Sequence, residues 1–203
     1  MYIVGYVDDE LDSIEMYKRR LARHDIDLQF AKDCTSKQDI LNWITEKKLK
    51  CILIDYKLKE KYDFMGTELV AYINAELPDL TCIIITNYTQ ASLNENLVVK
   101  YLIKERDVLA ADDITDFADT IKQAIDVFEN RMVQHKKEFI NLKGMRDIGT
   151  LTEPEEESFF MLYKILRSYD EVDDIPIALL KSDTNQKLDD ILARLDSIID
   201  IAR

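Results

Sequence analysis

Residues 51–56 read Cys-Ile-Leu-Ile-Asp-Tyr, four side chains that avoid water followed at once by a carboxylate. A strand wetted on one face alternates apolar and polar residues. An unbroken apolar run is what a strand covered on both faces looks like, as in a parallel sheet flanked by helices. The same composition recurs in Tyr2–Val7, which runs into Asp8 and Asp9, and in Thr81–Ile85, which runs into Thr86. Weaker strand-like runs cover Asp27–Ala31 and Val99–Ile103, the second followed by Lys104.

Amphipathic segments separate these runs, near Leu11–His24, Ser36–Lys47, Gly66–Leu77 and Ala91–Leu97, with a longer one starting near Ala111. Thr35 and Ser36 precede Ile40, Leu41 and Ile44 at helical spacing, and Pro78 stands just past Leu77 as a helix stop. Strand and helix alternating five times predict a five-stranded, parallel, doubly wound α/β sheet over residues 1–129.

From residue 111 onward only helical patterns remain. Ile114, Ala118, Ile121, Ile125, Phe128, Met132, His135, Phe139 and Leu142 step by four and three, a heptad seam. Its first half can cover the sheet. Its second half needs another partner, either later helices of the same chain or a second copy. Gly144 and Gly149 bracket a break, and Thr152 with Glu155 then forms a capping box, with Pro154 in the first turn. Phe159, Leu162, Tyr163 and Leu166 give the next helix its apolar face. An acidic loop spans Tyr169–Pro176, and a last helix from about Thr184 carries Leu188, Ile191, Leu192, Leu195, Ile198 and Ile199 on one stripe. Residues 130–203 are therefore expected to form an all-α region continuous with the last helix of the α/β part.

Charge narrows the function. The 203-residue chain has a formal net charge of −13. Residues 1–129 hold 16 Lys and Arg against 25 Asp and Glu, and residues 130–203 hold 11 against 15. Neither part offers the basic surface that phosphate neutralisation requires, so DNA binding is not expected. The stretch 151–162 resembles the opening of a helix-turn-helix output domain, but no basic recognition helix follows it. No run approaches a membrane span, and three cysteines without metal-type spacing suit a reduced, cytoplasmic setting.

The polar residues at the strand ends carry the chemistry. In an open parallel sheet, ligands bind at the carboxyl ends of the strands. There the sequence delivers Asp8, Asp9 and Asp55, the Thr86 hydroxyl and the Lys104 ammonium. Clustered carboxylates call for a hard divalent cation such as Mg²⁺. A carboxylate can also attack phosphorus, and the transfer then needs cations and hydroxyls around the equatorial oxygens.

With YVDDE, CILIDY, IIITN and YLIKE in this order, residues 1–129 resemble the phosphoacceptor receiver domain of bacterial response regulators, a flavodoxin-like fold. The resemblance implies Asp55 as phosphoacceptor. It implies Mg²⁺ held by Asp9, Asp55 and the backbone carbonyl of Lys57, with Asp8 acting largely through water. Thr86 and Lys104 would contact the phosphoryl group, and Tyr101 matches the aromatic switch position coupled to Thr86. The implied phosphodonor is a histidine kinase or a phosphotransfer protein. The chain departs from the family in three places. The loop from Asp55 to Gly66 is about three residues longer, Glu105 stands where a proline is usual, and Lys57 and Tyr88 fill the variable positions beside the acceptor. In residues 130–203 no nucleophile–base pair or metal-ligand spacing appears, so the expected output is non-enzymatic, through self-association or a protein partner. A phosphorylation-independent adaptor, or a regulatory subunit of a partner enzyme, is the alternative.

Overall fold

The computed structural model describes residues 1–10, 12–58 and 61–180. Five parallel strands form one sheet in the order β2-β1-β3-β4-β5: β1 Tyr2–Val7, β2 Ile26–Phe30, β3 Cys51–Asp55, β4 Thr81–Thr86 and β5 Ile103–Glu105. Helices α1 Ile14–Ala22, α2 Lys37–Glu46, α3 Gly66–Glu76, α4 Thr89–Asn94 and the short α5 Asp107–Ala110 connect or follow the strands. The expected five-stranded parallel α/β fold is what the chain adopts. All five residues of β3 are buried, as its unbroken apolar run requires.

The helix starts follow from local chemistry. At α2 the Ser36 hydroxyl accepts from the Asp39 amide at 3.1 Å, while the Asp39 carboxylate accepts from the Ser36 amide at 3.0 Å. Two of the unpaired amides of the first turn are thereby satisfied.

The fifth strand differs from its sequence reading. Lys100–Leu102 form a 3₁₀ turn, and β5 begins only at Ile103. Tyr101 therefore lies on the turn and not on a strand, and it is 72% exposed. The apolar residues Val99, Tyr101 and Ile103 mimic strand alternation, but only Ile103 pairs with β4. All described peptide bonds are trans.

Helix α6 runs from Thr115 to Asp147, so it passes through Gly144, which has open space on its Cα, and the chain breaks only near Gly149 at φ +71°. Gly144 lacks any contact that would demand its small size, and a lone glycine costs a helix only about 1 kcal/mol. Ile114, just before this helix, and Phe117, Ala118, Ile121 and Ile125 within it join the sheet's core with Val4, Leu28, Leu53, Ile83 and Ile85. His135, at the seam's seventh position, pairs with Asp79 at 3.0 Å, and Arg131 reaches the same carboxylate at 2.9 Å.

Two compact units divide the chain at Asn141 and Leu142. In the second, α7 Glu153–Ser168 is opened by the Thr152–Glu155 box, in which the Thr152 amide and hydroxyl donate to Glu155 at 2.8 and 2.7 Å. Phe159, Leu162, Tyr163 and Leu166 are buried, as their spacing predicts. The Tyr163 hydroxyl lies within hydrogen-bond distance of the carbonyls of Asp173 and Ile175 and accepts from the Ile175 amide, which ties the acidic loop back onto α7 ahead of a last described turn, α8 Ile177–Leu180. The apolar stripe from Leu188 to Ile199 lies outside the described residues.

Candidate phosphoacceptor site

Strand register brings the acidic residues together. Val7 pairs with Ile54, so Asp8 and Asp55 leave β1 and β3 side by side. Because β1 separates β2 from β3, the chain's crossovers diverge at this point, and a crevice opens at the strands' carboxyl ends. Ligand oxygens of Asp8, Asp9 and Asp55 lie within 4.8 Å of one another. Asp8 and Asp55 are buried and Asp9 is half-buried. An open depression of about 550 Å³ lies above them, lined in part by Asp9, Asp55, Lys57, Tyr88 and Arg106.

Each buried carboxylate is tied down. Asp55 Oδ2 accepts from the Lys57 amide at 2.9 Å. Asp8 Oδ1 accepts from the Glu10 amide at 3.0 Å, and its Oδ2 accepts from the Tyr6 hydroxyl. Tyr6 is fully buried two residues upstream on β1, and its phenol is pushed far above the ordinary range by burial and by Asp8. It stays a donor to Asp8 at any physiological pH.

The cation that meets these carboxylates is Arg106. Its Nη2 lies 2.5 Å from Asp55 Oδ1 and 3.2 Å from Asp8 Oδ2, and its Nη1 lies 3.3 Å from Glu10. The Arg106 amide donates to the Thr86 carbonyl at 3.1 Å, which extends the β4–β5 ladder by one bond and aims the side chain over the strand ends. Burial raises the carboxyl of Asp8, and it pushes that of Asp55 up to about 6 against the opposing pull of Arg106.

The other residues singled out by sequence fall as follows. Thr86 is fully buried, and its hydroxyl accepts from the Tyr88 amide at 2.9 Å. Lys104 is half-buried at the register level of Asp55, with Ile85 of β4 between them. Among the described residues its ammonium makes no ion pair. Two strand spacings put its backbone roughly 10 Å from that of Asp55. Lys57 stacks its Nζ 3.5 Å from the centroid of the Tyr88 ring at the rim. Tyr101 stays on the surface.

Tyr6 and Arg106 escaped the sequence reading. Tyr6 stands two residues before Asp8 on β1, and period two on a strand puts such a pair on one face, which is the signal that could have found it. Arg106 stands past the end of β5, where no strand period applies, and its place over Asp55 is tertiary.

The described residues of the long loop after Asp55 are anchored. Leu58, Tyr62 and Phe64 are buried, and the Lys61 ammonium donates to the carbonyls of Ala31 and Lys32 beyond β2. At its end Gly66 is held by a 2.8 Å bond from its amide to the Tyr56 carbonyl.

Neither a protein-family model nor a curated protein matches the sequence. Solved structures do match by shape. A response regulator receiver domain from Clostridium thermocellum shares 20% identity over 62% of this chain and 95% of its own, with a TM-score of 0.49. NtrX from Brucella abortus, solved with ADP, shares 15% over 71% of this chain and 33% of its own, with a TM-score of 0.51. RcsB of Salmonella typhimurium, described in terms of DNA interaction, shares 14% over 88% and 96%, with a TM-score of 0.46. At these identities the likeness is one of fold. The five-stranded parallel sheet with its flanking helices has the flavodoxin-like receiver fold.

Proposed function

We propose that the chain is a response regulator that accepts a phosphoryl group on Asp55. The observation that carries this reading is the cluster of Asp8, Asp9 and Asp55 at the divergence of the crossovers, with Asp55 buried beneath an open depression. Three carboxyl groups this close suit a divalent cation, because a hard cation offsets their mutual repulsion and accepts their oxygens. Asp9, Asp55 and the Lys57 carbonyl are the proposed Mg²⁺ ligands, with Asp8 one water removed. When bound, Mg²⁺ supplies positive charge against the phosphoryl oxygens.

The chain's own residues do the rest. An Asp55 oxygen attacks phosphorus of a phosphohistidine donor, the phosphorus–nitrogen bond breaks, and the imidazole leaves with the electron pair. The Thr86 hydroxyl and the Lys104 ammonium are proposed to contact the transferred group. Tyr101 is the proposed switch residue. The donor would be a histidine kinase or phosphotransfer protein in the cytoplasm. No described helix is long and apolar enough to cross a membrane.

The output we propose is protein contact through residues 130–203, with no enzymatic domain. Exposed Val133, Ile140, Ile148 and Met161 support this, as does the acidic balance of the segment. A phosphorylation-independent adaptor is the second reading. It is favoured by Arg106, which already neutralises Asp8 and Asp55.

Intact mass after incubation with a small phosphodonor and Mg²⁺ tests the first reading. One added phosphoryl group on the wild type and none on Asp55→Asn is the expected result. No addition to either protein makes the adaptor reading lead.

A further inference from the structure

Every oxygen of the two buried carboxylates is engaged by this chain's own donors. Asp55 gives Oδ1 to Arg106 and Oδ2 to the Lys57 amide. Asp8 gives Oδ1 to the Glu10 amide and Oδ2 to both Tyr6 and Arg106. Of these donors only Arg106 carries a charge. Its guanidinium bridges Asp8 and Asp55 from one nitrogen, at 3.2 and 2.5 Å, and so lies between carboxylates that a divalent cation would share. Its side chain is 16% exposed, and its Nε is buried without a hydrogen-bond partner. A buried donor left unpaired costs free energy, so this pose is held by carboxylates, Asp8 and Asp55 with Glu10 at the rim, and not by a full set of bonds. The backbone is fixed by the amide bond to Thr86, and the side chain lines the open depression beside the carboxylates.

We infer that Arg106 is a built-in competitor for the divalent-cation site, neutralising Asp8 and Asp55 in the metal-free chain and leaving them when the cation binds. The inference rests on the phosphoacceptor reading of the same carboxylates. Arg106 cannot deprotonate, so it withdraws only by moving. The site's affinity for Mg²⁺ is then lower than its three carboxylates alone would give. Cation binding frees a guanidinium beside Asp55, where planar, paired N–H donors suit phosphoryl oxygens. Arg106 is thus a positioning residue for Asp55 in one state and a phosphoryl-facing cation in the other.

Calorimetric titration of the full-length chain with Mg²⁺ tests it. Removing one of two ligands that exclude each other relieves a negative coupling, so Arg106→Gln should bind Mg²⁺ about tenfold more tightly than wild type. Arg106→Lys should fall between the two, since it keeps the charge and loses the fork. Lys122→Gln, a charge change away from the site, should stay within about twofold of wild type at physiological salt. If Arg106→Gln unfolds without metal, the wild type alone decides. The side-chain N–H resonances of Arg106 should shift and exchange faster as Mg²⁺ saturates the site. Resonances that stay unchanged, or equal affinities in wild type and Arg106→Gln, overturn the competitor role and leave the phosphoacceptor reading standing. No Mg²⁺ binding by either protein overturns both.

Discussion

A Cβ built on Gly66 would lie 2.0 Å from the carbonyl oxygen of Asp55, so the first turn of α3 and the backbone of the candidate acceptor are in direct contact. No real Cβ comes so near an oxygen, and the obstacle is backbone, which cannot swing aside. Gly66 is therefore what lets α3 begin against the end of β3.

Gly66→Ala should damage both fold and site. Alanine in a helix normally gains about 1 kcal/mol over glycine, and here that gain is reversed by the clash. The expected outcome is a lower thermal midpoint together with slower phosphorylation of Asp55. A variant as stable as wild type, or more so, would show that β3 and α3 separate easily.

Burial of Asp55 sets a pH dependence. Its carboxyl is pushed up to about 6 in the folded chain, above the 3.8 of the open chain, so the folded state holds a proton that the unfolded state has already lost. Stability from this group is fully present below the unfolded value and falls as pH rises through about 6. In metal-free buffer the wild type should gain about 1 kcal/mol between pH 7 and pH 5 relative to Asp55→Asn. Urea midpoints of both proteins at the two pH values measure it, and parallel pH profiles would contradict it.

Glu95 anchors the end of α4. The Tyr56 hydroxyl donates to its Oε1 at 2.7 Å, and the buried Thr67 hydroxyl donates to its Oε2. The Tyr56 phenol is pushed up to about 12 by burial and by Glu95. Glu95→Ala leaves the Thr67 hydroxyl unpaired and should cost about 1–3 kcal/mol. Amide exchange of Thr89–Asn94 should quicken and the Tyr56 phenol should titrate lower. An unmoved phenol would mean the carboxylate contributes nothing to α4.

Lys57 and Tyr88 act as one group at the rim. An ammonium 3.5 Å from a ring centroid is worth roughly 0.5–2 kcal/mol. Lys57→Ala and Tyr88→Ala should each alter the lifetime of the Asp55 phosphoryl group in the same direction. The double variant should change it little beyond either single one. Hydrolysis rates equal to wild type in both single variants would rule out a role for the pair.

The sequence by itself determined the parallel sheet. Continuous apolar runs such as 51–54 are stable only when both faces are covered, and helical periodicity between them leaves one architecture. It also placed Asp8, Asp9 and Asp55 at strand ends, because a carboxylate that closes an apolar run marks the end of the strand, where an open parallel sheet forms its crevice. The Thr152–Glu155 box was legible too, since capping involves residues three apart and no tertiary contact.

Only the tertiary structure decided which cation faces Asp55. Arg106 reaches Asp55 from one bond beyond β5, while Lys104 lies on β5 with Ile85 of β4 between its backbone and that of Asp55. The start of β5, the anchoring of the loop at Leu58, Tyr62 and Phe64, and the hydroxyl of Tyr6 on Asp8 were settled the same way. Each depends on the distance between segments far apart in the chain, and pattern within one segment carries no information about it.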